Sequence, residues 1–565
     1  MSEECFFVLH CRMRRCVLIF VMLVAGFSLR AQDPAVDAAI LHLTGAADME
    51  ELDESETERF APFTARPLRI NEASRAELLS SSLLTAYQVA SVLDYRSRHG
   101  DILSVAELSL VDGFSEADAR ALGCFVSFDT PRCPGDTGAG GKTWGASVVS
   151  RYKPGSEDAF KLKCKGEYGG RFSVGFTLQD NFYATFSSRS GRHNLLVGDY
   201  RLRFGQGLLF WDGFSLSGYS TLSAFSRRPT GAVPAVSFSS DGIRRGVVYS
   251  WSYSTVFVSK EDAGAATGGV HGSLPFRRGE AGMTAFMKTR GKDGARGDAG
   301  LSADVQYNII GMAVSAEAGY RPLDTAVVAA ASLRTPSLWR FTGALAARAP
   351  GDRHEYAAMA VYASEKRVSL RGREGFGSSV KALEADVSVA WLDRPDKERR
   401  QLKLIADAAW QISPSLSLKS RYVRTLRNYG DIRRDELRLD CIWSDGAWML
   451  SSRLHAASSA RLGIMGYLEA GRAGQKLSMY LRATAFRVDD WADRIYAWER
   501  DAPGNFSVPV SYGRGYRLSA TGGYKTRLWH SRLRAYVKGS IVRYPWMAEQ
   551  KEGKAELKFT FCWEY

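Results

Sequence analysis

The side chains in this 565-residue sequence with the most chemical potential are cations. Between positions 528 and 541, His530, Arg532, Arg534, Tyr536 and Lys538 alternate with Trp529, Leu533, Ala535, Val537 and Ile541. Arg421, Arg424, Arg427, Arg433 and Arg434 gather around a turn at 428–431 and read as an exposed basic rim. Such rows attract anions, and they serve equally well as structural filling paired with acids on facing strands. Catalytic chemistry has no comparable support. His42, His99, His193, His271, His354, His455 and His530 stand alone, and none belongs to an HExxH or similar ligand spacing. There is no GxSxG elbow, Walker loop or dinucleotide fingerprint, and 291–300 is a polar Gly/Asp/Arg loop rather than a phosphate cradle. A Ser-His-acid set assembled from distant strands, for example near His354-Glu355, has no sequence support. The expectation is a non-enzyme with no cofactor and no metal.

The elements that must carry these cations are strands. From 143 to the end, apolar and polar residues alternate. Leu402, Leu404, Ala406, Ala408 and Trp410 form one face of a segment, and Leu477, Met479, Leu481, Ala483 and Ala485 one face of another. Mean hydropathy is −0.20, which excludes a polytopic helical membrane protein but not a barrel that shows lipid every second residue. Gly is abundant at 54 and Pro scarce at 17, a balance that suits many paired strands. A charge facing lipid near the midplane costs about 2–4 kcal/mol, so the basic rows must face a lumen or lie beyond the membrane. The expected fold is mainly β: a transmembrane antiparallel barrel of about 16–22 strands over residues 143–565. At its end, Leu557, Phe559, Phe561, Trp563 and Tyr565 share one face. A terminal strand with an aromatic last residue resembles the signal read by barrel-assembly machinery, which makes that machinery and outer-membrane lipid expected partners.

Upstream the reading differs. Met13-Arg14-Arg15 precedes an eleven-residue apolar run at 17–27 and then Ser28-Leu29-Arg30-Ala31, the form of a cleaved secretory signal over 1–31. The run is short for a membrane anchor, and Met13 is an alternative start. Cys124, Cys133, Cys164, Cys441 and Cys562 are odd in number and widely spaced, which reads as apolar filling rather than a disulfide framework; Cys124 and Cys133 could pair in an oxidising compartment.

The formal charge of +14 is unevenly divided. Residues 32–126 carry 17 acids against seven arginines, and the body from 127 carries the positive excess. Residues 32–67 read as an acidic, solvated linker, 68–126 as a small helical domain, and 127–142, rich in Pro and Gly, as a second linker. In the helical domain, Ile70, Leu78, Leu79, Val89, Val92 and Leu93 recur at helical spacing. Asn71 is a candidate N-cap, Ser104 and Ser115 cap later turns, and Gly100 stops a helix after Arg96 and Arg98.

The residues Ile70-Asn71-Glu72-Ala73-Ser74, Glu77-Leu78, Tyr95-Arg96, His99-Gly100, Ser104-Val105, Glu107-Leu108 and Val111-Asp112-Gly113-Phe114 resemble the tandem helix-hairpin-helix domain of competence-type, ComEA-like DNA-binding proteins. That resemblance implies an all-α domain whose hairpin amides cradle DNA phosphate, with Gly113, Phe114 and Ser115 as the contacts. The residues themselves pull the other way: the first hairpin, Ser81-Ser82-Leu83-Leu84-Thr85, has no glycine, and eight acids oppose five arginines over the domain. Two further stretches extend the likeness to secreted proteins that join such a domain to a barrel. One runs through Val197-Gly198-Asp199-Tyr200, Phe204-Gly205-Gln206-Gly207-Leu208 and Trp211 to Gly213-Phe214 and 239–246. The other comprises Arg494-Ile495-Tyr496-Ala497-Trp498-Glu499, Phe506-Ser507-Val508-Pro509 and Tyr512-Gly513-Arg514-Gly515. Gly205-Gln206-Gly207 is either a strand bending into the barrel or a tight turn between strands.

Two functions follow. One is a DNA-uptake or transport component, in which the periplasmic helical domain works beneath a basic pore and the partner is DNA or another polyanion. The other is a structural outer-membrane protein whose helical domain docks a periplasmic protein.

Overall fold

The computed structural model describes most of residues 34–129 and 144–565. Residues 1–33, 45–48, 53–59, 130–143 and 213–228, shorter runs at turns, and the side chains of 321–401 lie outside the described residues. The signal reading, Cys133, His354-Glu355, Gly213-Phe214, Phe506 and His530 therefore fall outside them too.

From Trp144 onward, strands that follow one another in sequence pair antiparallel, and the last strand, Lys554–Glu564, closes on the first, Trp144–Tyr152. Just beyond that pair, the backbone N–H of Tyr565 donates to the Trp144 carbonyl at 2.8 Å, and the N–H of Trp144 donates back to the Tyr565 carbonyl at 3.2 Å. Among the described residues the wall contains twenty-four strands, which corrects the expected 16–22. A short extra strand, Gly231–Pro234, pairs beside His193–Arg203, which itself continues the wall to Arg244–Trp251. The expected 16–22 strands over 143–565 imply a longer strand and connection than the wall has. The real spacing is tighter: Ser252-Tyr253 alone joins Arg244–Trp251 to Ser254–Lys260.

The alternation dictates the two faces. On Leu477–Val488, Leu481 is half exposed on the outside, while Tyr480, Arg482 and Phe486 point inward and are buried. The final strand repeats this, with Leu557 and Phe559 outward and Lys558 and Thr560 buried inside. Connections at the end holding Tyr565 are short, such as 474–476, whereas the opposite end carries 204–243, 489–512 and 544–553.

The helical module comprises α1 (Pro34–Thr44), α2 (Arg75–Ser80), α3 (Ala86–His99), α4 (Val105–Leu108) and α5 (Glu116–Leu122). A parallel pair, Leu68–Arg69 with Val126–Ser127, ties its ends together. Ile70, Leu78, Leu83, Val89, Val92, Ile102, Leu108, Leu122 and Phe125 form a fully buried core. Two expectations are corrected here. Part of the supposed solvated linker is α1, because Val36, Ala39, Ile40 and Leu43 make an apolar stripe that packs on the core. Asn71 is not an N-cap, since α2 starts at Arg75. Its buried amide instead exchanges hydrogen bonds with the Ile102 backbone at 2.9 Å and donates to the Phe128 carbonyl, which fixes the chain on either side of α3.

Candidate site: the lumenal charge lattice

Inward-facing strand positions bring acids and arginines into register across neighbouring strands. On Ile432–Asp445, Arg438 and Asp440 face inward between the exposed Leu437 and Leu439. Arg453 is inward on the next strand, where it is the register partner of Asp440. Asp440 lies 2.9 Å from Arg438 as an ion pair and accepts from Arg453 at 2.6 Å. Glu469 likewise takes Arg482 at 2.6 Å and Arg500 at 2.9 Å. The rings of Tyr467 and Tyr480 lie under these guanidinium groups, with Arg482 4.0 Å from the Tyr467 centroid and Arg500 4.6 Å from that of Tyr480.

The lattice is completed by residues that do not belong to the wall. Glu50, from the short helical turn Met49–Glu51, sets its carboxylate 2.5 Å from Arg453 and 3.9 Å from Arg438. The backbone N–H of Trp498 donates to the same carboxylate at 3.0 Å. Asp37 of α1 lies 3.6 Å from Arg500. On the far side of the module, Arg75 donates to the inward-facing Glu280 at 2.9 Å and stacks 4.2 Å over the Tyr253 ring. The module is thus bound to inner-wall residues on two sides, through α1 and Glu50 on one and α2 on the other. This differs from a domain hanging beneath the pore.

Burial alone would push the Glu50 carboxyl up. Arg453, Arg438 and the Trp498 amide outweigh that and hold it at about 2, against an ordinary 4.5. A group with a lowered folded-state pKa lends stability above its unfolded value and loses it as pH falls toward the lowered one. The seat of 34–52 is therefore expected to stay unchanged from neutral pH down to 4.5 and to loosen between 4.5 and about 2. Hydrogen exchange of that segment, corrected for intrinsic rates, measures this; loosening already complete by pH 5 would remove Glu50 as the controlling group.

The connection 489–512 carries the second set of contacts. Asp493 is fully buried and accepts backbone N–H groups from Ser459, Ala460 and Arg461 at 2.5, 3.1 and 2.7 Å, which pins the loop to the neighbouring connection. Further on, Glu499 and Asp501 meet two almost completely buried lysines. Lys558 lies 2.5 Å from Asp501, and Lys538 lies 3.3 Å from Glu499 and 3.5 Å from Asp501.

The bend at 205–207 enters the barrel. The Gln206 and Leu208 amides donate to Glu317 at 2.7 and 3.1 Å. Gly205 has φ +54°, and a Cβ there would stand 2.9 Å from the Glu317 carboxyl group. The stretch combines the two alternatives. The Gly207 N–H donates to the Phe204 carbonyl at 3.1 Å and Trp211 returns antiparallel to Arg203, so a tight turn is formed. That turn projects into the barrel, where glycine lets backbone reach the carboxylate.

The basic candidates of the sequence are distributed as follows. Lys538 is in the buried lysine cluster, and Arg534 pairs with Glu564. Arg532 is the exposed register partner of Glu564, near the short-connection end. Arg421 holds Asp407 at 2.6 Å, and Arg424 holds Asp435 at 2.9 Å beside the more exposed Arg433. Arg427 closes its strand opposite Gln401 and Ile432. Lys538, Arg534 and Arg421 thus follow the paired-filling pattern rather than forming one basic path, whereas Arg424 and Arg433 meet Asp435 on the outer side, at the rim beside 428–431. Phe559, Phe561, Trp563 and Tyr565 share the outward side of the closing strand.

Gly113, Phe114 and Ser115 form the turn into α5. Gly113 has φ +86° and its carbonyl accepts from Gln88 at 2.9 Å, while Phe114 is buried. The Ser115 amide and hydroxyl donate to the Asp118 carboxylate at 3.0 and 2.6 Å, and the hydroxyl oxygen accepts from the Asp118 amide. His42 of α1 contacts the same Asp118 carboxylate at 2.8 Å. Both donors a phosphate would need at Ser115 are engaged, with a carboxylate beside them. Among the described residues no group of three or more His, Cys, Asp or Glu is arranged to hold a metal.

The residues that the sequence does not single out as site residues are Asp37, Glu50, Glu280, Arg438, Asp440, Arg453, Glu469, Arg482, Glu499, Arg500 and Asp501. Glu469 and Glu280 carried a readable signal, an acid at an inward position of an alternating strand. Glu50 and Asp37 did not, since an acid in an acid-rich stretch reads as solvated.

No family model and no curated protein matches this chain. Solved structures similar to it include a bacterial polysaccharide outer membrane secretin, with a TM-score of 0.24 at 12% identity over 52% of this chain and 100% of that one. They also include Pseudomonas aeruginosa OccK10 (OpdN), at 0.31 and 11% over 75% of this chain and 98% of that one. Pseudomonas aeruginosa OprD gives 0.30 and 11% over 55% of this chain and 90% of that one. At such identities and scores none of them assigns this chain a function.

Proposed function

We propose that this chain is an outer-membrane transport barrel held shut by its own N-terminal module. Its outer face supports the membrane setting. Phe172, Val174, Phe176, Leu450, Leu454 and Leu468 all face outward, a belt of a size that water would disfavour and hydrocarbon accepts. The outward charges Arg424, Asp435, Arg487 and Arg514 lie near the ends of their strands on the side of the long connections, away from this apolar belt. Short connections at one end and long ones at the other match the periplasmic and external ends of such barrels. The chain enters the first wall strand at the short-connection end, so the module is inserted from the periplasmic side.

The observation that carries the closed reading is the seating of Glu50 and Asp37 on lumenal arginines, with Arg75 anchored to the opposite part of the wall. A domain that merely hung below the barrel would not set its acids against arginines of the lumenal lattice. DNA bound by the 113–115 turn is not part of this reading, because the Ser115 donors are consumed by Asp118. A docking role for the module has one observation in its favour: Leu103 and Leu110, which flank α4, are exposed among Asp101, Glu107 and Asp112. A periplasmic partner with a basic, apolar face would suit them.

The test is single-channel recording of the full chain in planar bilayers. The expected result is a barrel that inserts yet stays mostly closed, with brief openings. A steady, wide conductance from the unmodified chain would reject closure.

A further inference from the structure

We propose that Arg438, Arg453 and the Trp498 amide form a carboxylate-binding cradle in the lumen, which Glu50 fills while the barrel is closed and a carboxylate-bearing solute fills once the N-terminal segment withdraws. The donor set is built for an oxyanion of this shape. Two guanidinium groups on adjacent strands are held by a shared carboxylate, Asp440, so their positions do not depend on Glu50. Beside Arg453, the other hydrogen-bond donor to Glu50 is a backbone amide delivered by the 489–512 connection, which Asp493 pins in place, while Arg438 acts through its charge from 3.9 Å. Both Glu50 oxygens are used: one takes Arg453 and the Trp498 amide, and the other faces Arg438. Tyr467 supplies a flat wall beside Arg453, 5.5 Å from the guanidinium carbon to the ring centroid.

Charge completes the case. Glu50 and Asp37 arrive from outside the wall, whereas Asp440, Glu469 and Asp407 are wall residues that stay with the arginines. Withdrawal of the segment therefore leaves Arg421, Arg438, Arg453, Arg482 and Arg500 facing Asp440, Glu469, Asp407 and Glu436, the last of which is shared with Arg434 and His455. The vacated positions favour anions, and the site that last held a carboxylate is already shaped for one. Guanidinium groups suit such a planar, two-oxygen partner. In this view Glu50 is an internal competitor, so solute and segment exclude each other. The gating half of the proposal rests on the channel reading above; binding at the cradle does not.

The experiment is calorimetric titration of the full-length protein in detergent with succinate, and with inorganic phosphate and neutral succinamide as comparators. Glu50→Gln keeps the shape of the occupant but removes its charge, so it should bind succinate about ten-fold more tightly than the unmodified chain. Adding Arg453→Gln to that variant should abolish the gain, while heat-dependent electrophoretic migration confirms that both variants remain folded barrels. Phosphate should bind more weakly than succinate, and succinamide should not bind. Equal succinate binding by Glu50→Gln and the unmodified chain, persistence of binding in the double variant, or a preference for phosphate would each overturn the cradle. Calorimetry reads the cradle and bilayer recording reads the channel, so one can fail while the other stands.

Discussion

Replacing Glu50 and Asp37 together by lysine should open the barrel. Both side chains are largely enclosed, and each sits against an arginine that also belongs to a wall network. Removing one partner of a buried pair costs about 3–5 kcal/mol, and reversal adds repulsion on top of that loss. Water entering the lumen screens part of this, and the two sites share one segment, so their effects do not simply add. A net shift of about 4 kcal/mol changes the closed-to-open ratio by roughly a thousand-fold. The open fraction in bilayer recordings should rise accordingly, and residues 34–52 should become protease-sensitive. A double variant as silent as the parent would mean that these pairs do not hold the segment.

The second large effect is expected at Asp501. Lys538 and Lys558 are each about 1–2% exposed, and Asp501 contacts both. Asp501→Asn keeps the volume but leaves two buried ammonium groups leaning on Glu499 and, more distantly, Glu556. The barrel should lose about 3 kcal/mol of stability, read as a lower temperature for the change in electrophoretic migration. Combining Asp501→Asn with Lys558→Met should recover part of that loss, because one uncompensated charge is gone. A stability change confined to the single variant and repaired in the double one separates charge imbalance from a merely disturbed loop.

Much of this molecule is legible in its sequence, and the illegible parts have identifiable causes. Alternation shows the wall because each outward position must suit hydrocarbon and each inward one need not. Leu557 to Tyr565 therefore announces both a strand and its orientation. The strand number was underestimated because joints such as Ser252-Tyr253 are shorter than the spacing assumed. Helix α1 was hidden by acids around it, although Val36, Ala39, Ile40 and Leu43 carried the helical period. Asn71 illustrates a different limit: its type suits a cap, but only tertiary structure shows that it bridges Ile102 and Phe128. The basic rows were visible by residue type, whereas their partners are paired across strands or come from 37, 50, 499 and 501. Register and insertion, not local pattern, decide those contacts.

The division of charge takes on structural meaning once the module is inside the barrel. An acidic front and a basic body are two halves of one lattice, with Glu50 and Asp37 supplying carboxylates that the arginine-rich interior receives. Opening would separate them and leave the interior attractive to anions. The Ser115 turn, facing its own Asp118, has no comparable opening for a phosphate.

The central claim is that the module occupies the lumen of its own barrel, and zero-length crosslinking tests it most directly. In an Arg75→Lys variant of the full chain, carbodiimide should couple the introduced amine to Glu280, since the native pair lies 2.9 Å apart. Mass spectrometry of intact outer membranes should recover that one linkage between the module and the inner wall. No linkage to Glu280, with coupling of the module to another protein instead, would contradict the account.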